Sequence, residues 1–124
     1  MIQRVGALVL YSKQPDRAAE FYRRLGFPLT EETHEDEVRH YACEIGGVHV
    51  AIFEAGGDAP PPVRAHGATM FDFAVTSLDE ILSVAEEAGG KILLGEPQEV
   101  EWGRRIILLD PDGREVQFFE PKSA

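Results

Sequence analysis

Histidines and carboxylates are the residues of this chain whose types could do chemistry. The sequence contains four histidines and 22 Asp and Glu residues. Imidazole nitrogens and carboxylate oxygens bind divalent metals, and the same groups act as general acids and bases. Asp72 is unusual because it interrupts the apolar segment Met70–Val75, where an ionised carboxylate is costly unless an arginine, a histidine or a ligand meets it. Metal binding and acid–base catalysis are therefore both candidate functions for these residues.

The composition excludes several other classes of function. The 124 residues include 12 Lys and Arg against 22 Asp and Glu, a formal net charge of −10, and so acidic a chain repels nucleic-acid phosphates and anionic membranes. Cys43 is the single cysteine, which excludes an internal disulfide and any CxxC motif, and we expect it to be a buried thiol. No apolar run approaches the roughly 18 residues of a membrane span. We expect a cytoplasmic protein without nucleic-acid or membrane partners.

Two amphipathic helices, about half the chain apart, are predicted to position the chemical groups. The first begins at Pro15, carries apolar residues at helical spacing and ends at Gly26. The second begins at Ser77, where Glu80 completes a capping box, and ends at Gly89. Because both predicted helices end at a glycine, the two halves of the chain indicate an internal repeat.

Short apolar runs of strand length surround each helix in the same order. The predicted strands are Val5–Tyr11, Pro28–Thr33, Val38–Ile45 and Val48–Glu54 in the first half, and Met70–Val75, Lys91–Leu94, Arg105–Leu109 and Glu115–Glu120 in the second. The sequence therefore predicts an α+β chain of two tandem βαβββ modules. Module 1 spans residues 1–55, a Gly/Pro-rich linker spans 56–67, and module 2 spans 68–124.

Three motifs carry a resemblance to a known family. Residues 19–27, AEFYRRLGF, are similar to the FYxxxLGF helix end of the vicinal oxygen chelate superfamily, which includes glyoxalase I, bleomycin-resistance proteins and extradiol dioxygenases. Residues 109–116, LDPDGREV, are similar to its DPDG hairpin, and Trp102-Gly103 and the doubled βαβββ order agree with it. The resemblance implies a single domain over 1–124, with a curved, partly open mixed sheet around a pocket. It also implies a homodimer.

Metal-dependent members of that superfamily place ligands in the first and last strands of each module. By motif spacing the corresponding positions here are Ala7, Ala51, Met70 and Gln117. Only Gln117 carries a hard donor, and a neutral amide is a weak ligand. We therefore expect no metal cofactor, although the family's fold is implied.

A shifted register leaves a divalent-metal site open as an alternative. Alternate residues of a strand share a face, so His49, Asp72 and Gln117 could converge as ligands for Mn²⁺ or Fe²⁺. The protein would then be a lyase, isomerase or dioxygenase. A metal-independent enzyme would use His49 or Asp72 as general acid or base. A non-catalytic interaction module is a further alternative.

The remaining histidines are weaker ligand candidates. His34 lies in the acidic run Glu31–Glu37 and His66 closes the proline-rich linker, so we expect both in loops. The face that His40 occupies depends on a strand register that the sequence leaves open.

The leading hypothesis is a homodimer that binds a small molecule in a metal-free aromatic pocket, with no catalytic residue assigned. Trp102 would offer a stacking surface, and the adjacent arginines at 104 and 105 could clamp an anionic group; the alternative is an aromatic cap with both arginines in solvent. Asp72 would meet a cationic or hydrogen-bond-donating group. The predicted substrate-binding residues are Tyr11, His49, Phe53, Met70, Asp72, Trp102 and Gln117.

Overall fold

The computed structural model describes residues 1, 3–33, 39–55, 70–93, 96–101 and 103–122. The chain divides into two compact units, Met1–Pro61 and Pro62–Ala124. Within the described residues each unit contains one helix and one open mixed sheet, which confirms the predicted α+β class.

Some sequence predictions concern positions outside the described residues. These positions are the linker at 56–67, His34, His66 and Trp102. The module boundaries at 55 and 68 fall beside the same segment and stay predictions.

Unit 1 has the predicted βαβββ order. Its elements are β1 (Ala7–Ser12), α1 (Pro15–Arg24), β2 (Thr30–Glu32), β3 (His40–Ile45) and β4 (Val48–Glu54). The strands lie in the order β1-β4-β3-β2, with β1 and β4 parallel and the other neighbours antiparallel. The first and last strands of the unit are therefore neighbours, as they must be if residues from both are to share a site.

Helix α1 covers one face of this sheet. Pro15 occupies the first turn, where its missing N–H has no helical partner to lose. Gly26 follows the end of the helix with φ of 107°, the left-handed conformation that glycine adopts without strain. Phe21 and Tyr22 are fully buried, and the helix packs on β1, β3 and β4. Burial of each such ring contributes roughly 1.5–3 kcal/mol.

Unit 2 repeats this plan with one addition. Its elements are β5 (Phe71–Ala74), α2 (Leu78–Ala85), β6 (Lys91–Ile92), β7 (Gln98–Val100), β8 (Gly103–Leu109) and β9 (Glu115–Pro121). The strands lie in the order β5-β9-β8-β6, and β7 also pairs with β8. The short strand β7 was not predicted. It contains a single apolar residue, Val100, so no alternating pattern reveals it, and its backbone pairing with β8 defines it.

Two side chains cap the start of α2. The hydroxyl of Ser77 accepts the N–H of Glu80 at 3.3 Å, which confirms the predicted N-terminal cap. The carboxylate of Glu120 accepts the N–H of the first helical residue at 3.1 Å. The helix ends at Ala85, earlier than predicted, and a turn then leads to Gly89 at φ of 106°. The capping contacts join the helix to the last strand of its own unit.

Cys43 lies on β3 and is buried, as predicted. Burial raises the pKa of its thiol. In the part of the chain that the structure describes, we find no helix long and apolar enough to span a membrane.

Candidate functional site

Three predicted binding residues lie on the face of the unit 1 sheet opposite α1. Tyr11 and Phe53 are direct partners in the register between β1 and β4, and His49 lies on the same face by strand alternation. Tyr11 is 48% exposed and Val9, on the same face, is 41% exposed. Leu10, between them, is buried on the helix side. The predicted strand parity is therefore confirmed for this unit.

A row of four side chains crosses this face from β1 to β2. The rings of Tyr11 and Phe53 have centroids 6.3 Å apart, and Phe53 stacks on His40 at 4.3 Å with the planes 11° from parallel. His40 Nε2 lies 3.5 Å from a carboxylate oxygen of Glu32. We call Tyr11, Phe53, His40 and Glu32 the aromatic row. It presents two aromatic rings on β1 and β4 and two ionisable groups on β3 and β2.

His40 is a site residue that the sequence did not place. The turn Gly46-Gly47 has positive φ at both residues, as a two-residue hairpin turn requires. It sets the register of β3 on β4, in which Tyr41 lies opposite Ile52. His40 therefore comes beside Phe53 on the face opposite α1, where its side chain is 4% exposed. The glycine pair was the signal from which this position could have been predicted.

His49 lies apart from the aromatic row and contacts Glu44. Its Nδ1 is 2.8 Å from a carboxylate oxygen of Glu44, and 43% of the His49 side chain is exposed. The carboxylate orients the imidazole on the surface of the sheet. The predicted roles of His49 in ligand binding, as a metal ligand and as a general acid or base stay predictions.

In unit 2 the face opposite α2 carries Asp72 and Gln117. They are direct partners in the register between β5 and β9. Gln117 is 3% exposed, whereas Asp72 is exposed and Met70, just before β5, is 42% exposed. Among the described residues no arginine or histidine meets the Asp72 carboxylate, in contrast to one sequence-based expectation. Asp72 lies at the surface, and a ligand remains its expected partner.

The side-chain oxygen of Gln117 is bound by Arg105. Arg105 Nη1 donates to Gln117 Oε1 at 3.1 Å, and Arg105 Nε donates to Gln98 Oε1 at 3.1 Å. The preceding Arg104 lies on the other face of β8, where it pairs with Glu120 at 3.2 Å. The two adjacent arginines, which the sequence treats alike, therefore have different surroundings.

The four positions predicted for metal ligands do not provide a donor set. Ala7 and Ala51 have no donor atom, and Met70 offers only a soft thioether. The oxygen of Gln117 already accepts a hydrogen bond from a guanidinium, whose positive charge disfavours a cation beside it. The residues present thus do not fit the metal that the family resemblance implies.

The shifted ligand set is divided between the two units. Asp72 and Gln117 are neighbours in unit 2, whereas His49 belongs to unit 1 and contacts Glu44. In the described part of the chain, no three His, Cys, Asp or Glu side chains lie close enough together to hold a metal ion.

A family model matches the chain from residue 4 to residue 118: that of the Glyoxalase/Bleomycin resistance protein/Dioxygenase superfamily. The chain belongs to this superfamily. The match confirms the resemblance drawn from the helix-end and hairpin motifs. A search of curated proteins found no match to this superfamily member.

Solved structures of similar fold cover nearly the whole of this superfamily member. A hypothetical protein of S. aureus, SA1046, has a TM-score of 0.76 and 21% identity, over 97% of this chain and 95% of that one. TnmS3, an antibiotic binding protein from Streptomyces sp. CB03234, has a TM-score of 0.72 and 21% identity, over 98% of both chains. TioX from Micromonospora sp. ML1 has a TM-score of 0.68 and 23% identity, over 97% of this chain and all of that one. At such identities the likeness shows the shared fold.

Proposed function

We propose that this superfamily member is a homodimer that binds a small organic molecule without a metal cofactor. The observation that carries the proposal is the aromatic row, with the half-exposed ring of Tyr11 at one end. TnmS3, whose structure is similar, is an antibiotic binding protein. Its activity supports a binding role for the same fold here.

The chemistry of the aromatic row favours a flat, partly apolar ligand. Ligand sites are mostly lined by apolar and aromatic side chains, with a few polar groups that fix the orientation of the ligand. Tyr11 and Phe53 supply ring faces for offset stacking. Glu32, at the other end of the row, supplies carboxylate oxygens for hydrogen bonds, and His40 is buried between Glu32 and Phe53. The predicted roles of Tyr11 and Phe53 thereby stay in the proposal.

Two features of unit 1 support the homodimer. Among the described residues, strand β1 is an edge strand of its sheet, so one backbone edge of β1 has no strand neighbour there. The same strand carries the exposed apolar side chains of Val9 and Tyr11. Exposed apolar patches mark interaction sites. Light scattering coupled to size-exclusion chromatography tests the assembly, and a mass of 13.7 kDa at every concentration would contradict it.

A ligand screen tests the binding function. We expect thermal-shift and equilibrium-dialysis screening with aromatic and amine-bearing metabolites to find a ligand whose affinity falls about ten-fold or more in Tyr11→Ala. Tyr11→Phe keeps the ring and should bind nearly as the wild type does. Val5→Ala changes an apolar residue that is 67% exposed outside the strands and serves as the matched control. Equal affinity in Tyr11→Ala and Val5→Ala would contradict the proposed site.

Two further predicted binding residues, Asp72 and Met70, and the metal question have separate tests. Asp72→Ala should weaken amine-bearing ligands selectively, because the exposed carboxylate would lose its attraction for a cation. Met70→Ala removes a half-exposed thioether from the same end of β5 and should weaken apolar ligands. Element analysis of protein purified without chelator tests the metal-free proposal. A stoichiometric metal that is lost in His49→Ala would overturn it.

A further inference from the structure

We propose that Arg105 is an anion-recognition residue of unit 2 and that the molecule it binds carries an oxyanion, a carboxylate above all. This inference rests on the proposed small-molecule function and specifies the chemical group that unit 2 recognises. It comes from the hydrogen bonds of one guanidinium and from the absence of a counter-charge around it among the described residues.

The guanidinium of Arg105 is held in place but its donors are not all used. An arginine has five N–H donors in a rigid plane. Arg105 Nε donates to Gln98 and Nη1 donates to Gln117, both at 3.1 Å. Neither N–H of Nη2 has an acceptor among the residues that the structure describes. A fixed plane with free donors at one nitrogen suits a planar acceptor.

Arg105 also lacks a counter-charge in the described part of the chain. Its side chain is half-buried, and within the described ranges no carboxylate lies within ion-pair distance of it. Asp72 and Glu115 share this face of the sheet by register, yet neither pairs with Arg105. Amide oxygens satisfy hydrogen-bond donors but do not neutralise charge, so among the described residues the guanidinium has no opposite charge beside it. An anionic ligand group would supply that opposite charge.

The neighbouring Arg104 shows what a structural arginine looks like on the same strand. It lies on the α2 side of β8, where its Nη2 donates to Glu120 at 3.2 Å. Glu120 also accepts the first N–H of α2, so Arg104 is part of the contact between helix and sheet. Its charge is neutralised inside the protein. Arg104 therefore provides a matched control of the same residue type, one position away.

The position of Arg105 in the sheet explains why its geometry is set before a ligand arrives. Gln98 lies on β7 and Gln117 on β9, the two strands that flank β8 at this point. Hydrogen bonds to both strands restrict the rotamers of Arg105. Restricting a side chain in advance lowers the entropy lost when a ligand binds. The two amides are thus positioning residues for the guanidinium.

Matched probes of different charge test the inference. We would measure dissociation constants of 1-naphthoate, the neutral 1-naphthamide and 1-naphthyl phosphate by NMR titration. For the wild type we expect the acid to bind roughly ten-fold more tightly than the amide, as one charge-assisted hydrogen bond predicts. In Arg105→Gln the two affinities should become equal, whereas Arg104→Gln should keep the preference. The phosphate probe distinguishes a general oxyanion site from one specific for a planar carboxylate.

The results separate this inference from the proposed function. Equal binding of acid and amide by the wild type, or a preference that persists in Arg105→Gln, would overturn the role of Arg105. Failure of 1-naphthoate to bind at millimolar concentration would overturn it as well. Amide binding that weakens in Tyr11→Ala would still support the proposed function. Arg105→Lys, with its melting temperature compared to the wild type, controls for folding and should keep part of the preference because it keeps the charge.

Discussion

Phe53 stacks on His40 with ring centroids 4.3 Å apart and ring planes 11° from parallel. The two residues lie on adjacent antiparallel strands, and His40 is buried at 4% exposure. The stack joins the exposed ring of Tyr11, at one edge of the sheet, to the carboxylate of Glu32 at the other edge of the same face. The aromatic row is therefore both a part of the packing of unit 1 and the proposed contact surface for a ligand.

Replacing His40 should separate the stability that comes from its stack on Phe53 from that of its contact with Glu32. We expect His40→Ala to lower the free energy of unfolding by about 2 kcal/mol, because it removes a buried ring and its stack on Phe53. His40→Phe keeps a stacked ring, should lose less stability, and removes the contact with Glu32. Urea titrations of both variants provide the measurement. Equal losses in the two variants would show that the stack is not the stabilising contact.

The contact between Tyr41 and Asp16 should make stability depend on pH at both ends of the scale. The Tyr41 hydroxyl donates to Asp16, and this hydrogen bond is the main cause that lowers the pKa of Asp16 and raises the pKa of Tyr41. A lowered carboxylate pKa stabilises the fold above about pH 4, its unfolded value, and that contribution is lost as pH falls through the folded pKa. A raised tyrosine pKa stabilises the fold below about pH 10, and that contribution is lost as pH rises through the folded value.

Tyr41→Phe tests this dependence. Between about pH 5 and 9 it should melt at a lower temperature than the wild type, and the difference should shrink in acid and in alkali. Arg39, which contacts Asp16 at 2.8 Å from an exposed position, stays in the variant, so the comparison isolates the hydroxyl. A difference that is constant from about pH 2 to pH 11 would exclude the contact as its cause.

Gly103 should be intolerant of any side chain. A Cβ at this position would lie 2.1 Å from the carbonyl oxygen of Glu120, and φ is 152°. We expect Gly103→Ala to cost more than about 2 kcal/mol, because backbone of β9 would have to move. Gly6→Ala is the matched control, since no atom lies within 4 Å of its Cβ position. Calorimetry measures the melting temperatures of both variants. Similar melting temperatures would contradict the close approach of residue 103 to the Glu120 carbonyl oxygen.

The hairpin between β8 and β9 should depend on one buried carboxylate. Asp110 Oδ1 accepts the N–H groups of Asp112 and Arg114 at 2.9 Å, and Oδ2 pairs with the Arg114 guanidinium at 2.6 Å. The Asp110 side chain is fully buried. Asp110→Ala removes the carboxylate that pairs with Arg114. We expect it to lower the free energy of unfolding, measured in urea, by about 3 kcal/mol. Asp110→Asn keeps one acceptor oxygen and should cost less; the reverse order would refute this assignment.

Much of the fold could be predicted from local patterns. Helix boundaries followed from Pro15, Ser77 and Gly26, because capping and positive φ are properties of a few adjacent residues. The family was predicted from two short motifs, the helix end at residues 19–27 and the hairpin at residues 109–116. Strand parity placed Tyr11 and Phe53 on one face, because alternate side chains of a strand must point the same way.

The sequence by itself determined which residues alternate onto the same face of each strand, and the tertiary structure decided which of them meet. Parity alone cannot tell that His40 lies against Phe53, since that contact also depends on the register of β3 on β4, which the turn at Gly46-Gly47 sets. Parity also cannot show that Arg104 has a carboxylate partner and that Arg105 has amide partners, since those partners lie on other strands. The pairing of β8 with β7 and β9 brings these groups together, and no pattern within β8 itself records which residues its neighbours place beside each arginine.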